Sequence, residues 1–69
     1  MSIGTVKWFD AAKGFGFIAP DDGGSDVFLH VTAVERAGFG PVAEGDKLGY
    51  QLERDIKSDR MSAGQLTRE

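Results

Sequence analysis

Phe15-Gly16-Phe17-Ile18-Ala19-Pro20-Asp21-Asp22-Gly23-Gly24-Ser25-Asp26-Val27-Phe28-Leu29-His30-Val31 is the stretch on which the reading of this chain turns. Residues 15–19 are aromatic and apolar and read as a strand, stopped by Pro20, which has no N–H for a ladder. Residues 21–25 form the strongest turn signal in the sequence, and residues 26–31 read as the next strand. Strand side chains alternate faces. Phe15 and Phe17 therefore share a face opposite Ile18, and Phe28 and His30 share a face opposite Val27, Leu29 and Val31. Paired as a hairpin, the two strands gather four rings on one side and the aliphatic residues on the other. The aliphatic side suits a narrow core, and a face bearing His30 suits water. The reverse packing, with the rings as the core, would expose the aliphatic residues instead. Either way one large apolar surface stays outside, and such surfaces mark binding sites.

The flanking segments extend this pattern. Residues 4–9 (Gly-Thr-Val-Lys-Trp-Phe) read as a first strand, followed by a turn over residues 10–14. Trp8 extends the ring face if a bulge separates it from Val6, since the two otherwise share one side. Thr32-Ala33-Val34-Glu35 matches a capping box, and Gly38 suits the position just past a helix end, so one short helical turn is expected. Residues 39–45 form a loop, Lys47 to Arg54 a fourth strand, residues 55–59 a polar loop, and residues 60–66 a weaker fifth strand. No apolar spacing follows a 3.6-residue period over ten residues, and no internal repeat is present. Five short strands without a long helix predict an all-β fold, a small antiparallel barrel whose closure removes exposed edges, as a single domain over residues 1–69.

Composition narrows the function. The chain has 69 residues, 41% of them hydrophobic, and no cysteine, so disulfides, thiolate zinc sites and thiol nucleophiles are excluded. Its apolar runs are far shorter than a membrane span, and residues 1–4 lack signal-peptide features, so a cytoplasmic protein without membrane contact is expected. The net charge of −3 argues by itself against a nucleic-acid partner. The acid is concentrated, however: Asp21, Asp22 and Asp26 lie together in the central turn, whereas residues 1–20 set Lys7 and Lys13 against Asp10 alone. Exposed rings rimmed by lysines are what single-stranded nucleic acid requires. Unpaired bases stack on aromatic faces for about 1–3 kcal/mol each, while Lys neutralises phosphate.

Lys13-Gly14-Phe15-Gly16-Phe17-Ile18 resembles the first ribonucleoprotein motif, and Val27-Phe28-Leu29-His30 resembles the second. Their order excludes the RNA-recognition-motif fold, in which the second precedes the first. With Gly4-Thr5-Val6-Lys7-Trp8-Phe9, Asp22-Gly23-Gly24 and Glu44-Gly45, the chain is similar throughout its length to bacterial cold-shock proteins. That resemblance implies a five-stranded OB-fold barrel that binds single-stranded RNA and DNA, as an RNA chaperone or transcription antiterminator in cold adaptation or growth. It implies Trp8, Phe15, Phe17, Phe28, His30 and Phe39 as stacking residues, Lys7 and Lys13 as backbone contacts, and Phe9 partly buried behind them. Three departures from the family pattern stand out. Asp10 stands where Asn is usual, and a carboxylate loses the amide donors and repels phosphate. Val31 replaces an often aromatic residue, and Arg60-Met61-Ser62 replaces a Gly-Pro-Gln stretch. Each change points to weaker or differently selective binding.

Other readings fit less well. Gly14-Phe15-Gly16-Phe17-Ile18-Ala19 also fits a dinucleotide fingerprint, but Pro20 and the turn after it deny the helix that motif needs. Asp21, Asp22 and Asp26 lack calcium-loop spacing and read as turn formers. His30 is the only histidine, so neither a histidine metal site nor an acid–base constellation is expected, and no cofactor or catalysis. Arg60 belongs with the candidate binding residues, since the loop between the last two strands lines the binding face of such barrels. The rival is a protein-interaction module gripping a peptide on the same rings. A monomer is expected.

Overall fold

The computed structural model describes residues 2–38, 40–55 and 60–68. Five strands, β1 (Ser2–Asp10), β2 (Phe15–Pro20), β3 (Val27–His30), β4 (Lys47–Asp55) and β5 (Arg60–Arg68), close into a barrel in the order β1-β2-β3-β5-β4. Helix α1 (Val31–Ala37) lies between β3 and β4 in the chain and packs on β5 and β3. The pairs β1–β2, β2–β3, β1–β4 and β4–β5 are antiparallel. Closure is completed by a parallel contact of β3 with β5 at Phe28↔Ser62.

The interior is aliphatic, as the alternation predicts. Val6, Ile18, Val27, Leu29, Leu48, Ala63 and Leu66 point inward with Tyr50, and Val34 from α1 joins them. Burying each large apolar side chain contributes roughly 1.5–3 kcal/mol, which a domain this small needs. Burial, and then the carboxylates of Asp22 and Asp21, push the Tyr50 phenol above its usual pKa.

Two local devices aim the outer face. The register runs Val6↔Ile18 and then Trp8↔Phe17, so Lys7 is an extra residue in β1. This bulge turns Trp8 outward while Val6 stays inside. At Gly16 the strands press together: a Cβ there would lie 2.2 Å from the Trp8 carbonyl oxygen and 2.7 Å from Phe9 Cα. Only glycine lets β1 cross at that depth.

Several sequence expectations are corrected. The third strand ends at His30, not Val31, because the chain turns into α1 there. Val31 is therefore a half-buried helical residue rather than a strand partner of Val27 and Leu29. The helix cap is His30, not Thr32: the backbone N–H of Thr32 donates to His30 Nδ1 at 3.2 Å. An imidazole nitrogen has replaced the hydroxyl of the expected capping box. Gly38 does close the helix, in the left-handed conformation at φ 76°. Pro20 ends β2 from within, opposite Gly4, and β5 runs two residues further than expected, to Arg68.

Candidate functional site

The outer faces of β1, β2 and β3 carry one continuous set of rings. Cross-strand register places Trp8 opposite Phe17, Phe17 opposite Phe28, and Phe15 opposite His30. The Trp8 ring centroid lies 5.5 Å from Phe15 and 5.4 Å from Phe17, both edge-on. Phe15 stacks on Phe28 at 5.6 Å and 28°, and Phe28 meets His30 at 6.0 Å. Phe15, Phe17 and Phe28 are half-buried, His30 is exposed, and Trp8 is 38% exposed. Each ring braces its neighbours edge-on or stacked, which fixes a platform before any ligand arrives. Phe9 packs against the core behind it.

The polar rim is tied to the turns. Lys7 Nζ donates to Asp26 Oδ2 at 2.9 Å, so this lysine is held by an acid beside the ring face. Lys13 is exposed on the β1–β2 turn. Asp10 Oδ1 accepts the backbone N–H groups of Ala12 and Lys13 at 3.0 and 3.2 Å. Its carboxylate therefore builds the turn that presents Lys13, a job an amide oxygen would do equally well. An Asn at this position could accept the same two N–H groups and would differ in charge. Arg60 sets its guanidinium carbon 4.9 Å from the Phe28 centroid, a cation–π contact that extends the face onto β5. The His30 cap also fixes the neutral ring's tautomer. With Nδ1 accepting the Thr32 N–H, the proton of a neutral ring belongs on Nε2.

The structure thus assembles Trp8, Phe15, Phe17, Phe28, His30 and Arg60 on one face, with Lys7, Lys13 and Asp10 on its rim. Phe39 lies outside the described residues. The three acids of the central turn are not a ligand cluster: Asp21 pairs with Lys47, Asp26 with Lys7, and Asp22 Oδ1 accepts the Gly24 N–H. The hydrogen bond from the Lys47 ammonium, and then its charge and the Thr5 hydroxyl, hold the Asp21 carboxyl below its usual pKa against the opposing effect of burial. Among the described residues no group of three potential metal ligands converges, and no helix is long and apolar enough to cross a membrane. Two features had no signal in the sequence. One is the Lys7–Asp26 pair, which needs the bulge to bring the two together. The other is a groove beside Phe28 and His30, between α1 and β5.

The model of the "'Cold-shock' DNA-binding domain" matches residues 2–68. A probable cold shock protein of Sinorhizobium fredii is 59% identical over 66 residues, 96% of each chain. Cold shock protein CspA of Rhizobium meliloti is 58% identical, also over 96% of each. Cold shock-like protein CspE of Escherichia coli is 46% identical over 54 residues, 78% of each chain.

Proposed function

Because the chain belongs to the cold-shock domain family, nucleic-acid-binding proteins rather than enzymes, we propose that it binds single-stranded RNA and DNA by stacking bases on the ring face. In the cytoplasm it acts as an RNA chaperone and regulator of transcription or translation during cold adaptation. The observation that carries this reading is the run of rings from Trp8 through Phe15, Phe17 and Phe28 to His30, contiguous at 5.4–6.0 Å and open to solvent on one side. A duplex has its bases already stacked on each other, whereas an open strand can lay them on these rings. One chain carries the whole ring set, so it works as a monomer.

The mechanism is mass action. A ligand that binds the open form of an RNA hairpin and not the closed one shifts the balance by RT ln(1 + [L]/Kd), about 2.7 kcal/mol at 100-fold excess over Kd. Cooling strengthens RNA pairing, which makes a passive opener useful. Titration with oligo-dT or oligo-U should quench Trp8 fluorescence. Phe15→Ala and Phe28→Ala should each weaken binding by about 5- to 150-fold, the equivalent of one lost stacked base. Native affinity in both variants would defeat the stacking assignment.

A further inference from the structure

We propose that the bound strand does not end on the ring face but continues into the groove between α1 and β5, where Arg36 holds a backbone phosphate. This inference rests on the single-strand reading of the ring face and extends its site.

The groove follows from how the barrel closes. β3 pairs with β5 at Phe28↔Ser62 and ends at His30, where the chain leaves for α1. β5 continues for six residues past Ser62, to Arg68. Beyond the contact, β5 is flanked by the helix instead of a strand, and a trough of about 790 Å³ remains. Phe28 and His30 line it, so they belong to the ring face and to the mouth of the groove at once. A strand stacked on those rings has a continuous path between the helix and β5.

The groove walls are suited to a polyanion on one side only. Arg36, in the last turn of α1, is exposed and lines the groove from the helix. Among the described residues it has no hydrogen-bond or ion-pair partner, whereas Lys7, Lys47 and Arg68 face Asp26, Asp21 and Asp46. The opposite wall carries the Glu53 carboxylate, which lies against Gly64: a Cβ at Gly64 would come within 2.2 Å of Glu53 Oε2. Repulsion from Glu53 keeps phosphate on the Arg36 side and leaves the sheet wall, with Ser62 and Gln65, to sugars and base edges. An arginine there offers a planar fork of donors to a phosphate.

The test compares strand lengths. Trp8 quenching gives the affinities of the native chain, Arg36→Ala and Phe28→Ala for oligo-deoxythymidines of four and of eight nucleotides. Arg36→Ala keeps the fold, since alanine favours a helix and the side chain is exposed. The four-nucleotide strand should bind Arg36→Ala as it binds the native chain. The eight-nucleotide strand should bind it up to about tenfold more weakly, and its log K against log salt slope should shrink by about 0.7, one phosphate contact. Equal affinities of native and Arg36→Ala for the longer strand overturn the groove path, and so does an equal loss at both lengths, which marks a general field effect. Failure of the ring-face reading is separate: Phe28→Ala would then bind both lengths like the native chain.

Discussion

Removing the negative charge at Asp26 should tighten binding of single strands, even though Asp26→Asn deletes an ion pair. Lys7 sits at the bulge beside Trp8, and its ammonium is 2.9 Å from Asp26 with side-chain exposures of 56% and 39%. Exposed pairs of this kind are worth about 0.2–1 kcal/mol. A phosphate arriving at the ring face must take Lys7 from Asp26, and that energy is then subtracted from binding. Asp26→Asn returns it, so Kd should fall by about 1.4- to 5-fold at low salt. The salt dependence is the sharper readout. In the native chain Lys7 exchanges one anion for another, and the counterion freed from the strand is largely matched by one recruited to Asp26. With Asn at position 26 nothing is recruited, so the log K against log salt slope should steepen by about 0.7 for a single strand.

Trp8 quenching by oligo-dT across a salt series measures both quantities in one experiment. Lys7→Ala supplies the reference, because in that background Asp26→Asn has no lysine to release and its effect should shrink to a weak, fully screened repulsion. A folded Asp26→Asn protein that binds more weakly would refute the reasoning. It would mean that the carboxylate contacts bases directly instead of competing for Lys7.

Two further expectations concern the frame that holds the face. Gly16→Ala drives a Cβ into the Trp8 carbonyl and the Phe9 backbone, and because both are main chain β1 must lift off β2. A cost of about 1–3 kcal/mol is expected, seen as a lowered urea midpoint, and an unchanged midpoint would contradict the close crossing. Asp21 is a carboxylate whose folded pKa is depressed chiefly by its hydrogen bond from Lys47. Its contribution to stability is therefore complete above the unfolded value near 4 and is lost as the pH falls through the lower folded value. Lys47→Ala should return the Asp21 titration, followed by NMR, toward the usual carboxylate range, and an unmoved midpoint would contradict the pairing.

The central hairpin is legible in the sequence because two constraints agree there. Alternation sorts Phe15, Phe17, Phe28 and His30 from Ile18, Val27 and Leu29, and the Asp-Asp-Gly-Gly turn fixes where the chain reverses. Trp8 is not decided that way, because a strand with or without an extra residue has the same composition. The bulge at Lys7 becomes necessary only when Val6 must face Ile18 and Trp8 must face Phe17. The helix start is misread for a related reason. Thr32 and Glu35 satisfy the capping-box pattern, but an imidazole two residues before Thr32 reaches its N–H first. The fifth strand reads weakly because Ser62 and Gly64 are poor strand formers, and it is held by closure against β4 and β3 instead of by its own propensity. The groove is a by-product of that closure, so no local pattern announces it.

Net charge misleads in this chain because the fold disposes of its acids before a ligand arrives. Asp21 and Asp26 are taken by Lys47 and Lys7, and Asp46 accepts the Ala43 N–H and faces Arg68. Asp10 and Asp22 close their own turns. The Asp21–Lys47, Asp26–Lys7 and Asp46–Arg68 pairs cancel charge locally, while Lys13 and Arg60 remain at the face. On the proposed single-strand reading, so few cations there mean an affinity that comes mainly from stacking and changes little with salt. The residual negative field of the whole molecule then works in the same direction as the Lys7–Asp26 pair: it lowers affinity without altering the ring geometry. If the chain acts as the proposed RNA chaperone, it would open paired RNA only while its concentration exceeds Kd, and it would yield the strand more readily than a strongly basic protein of the same shape.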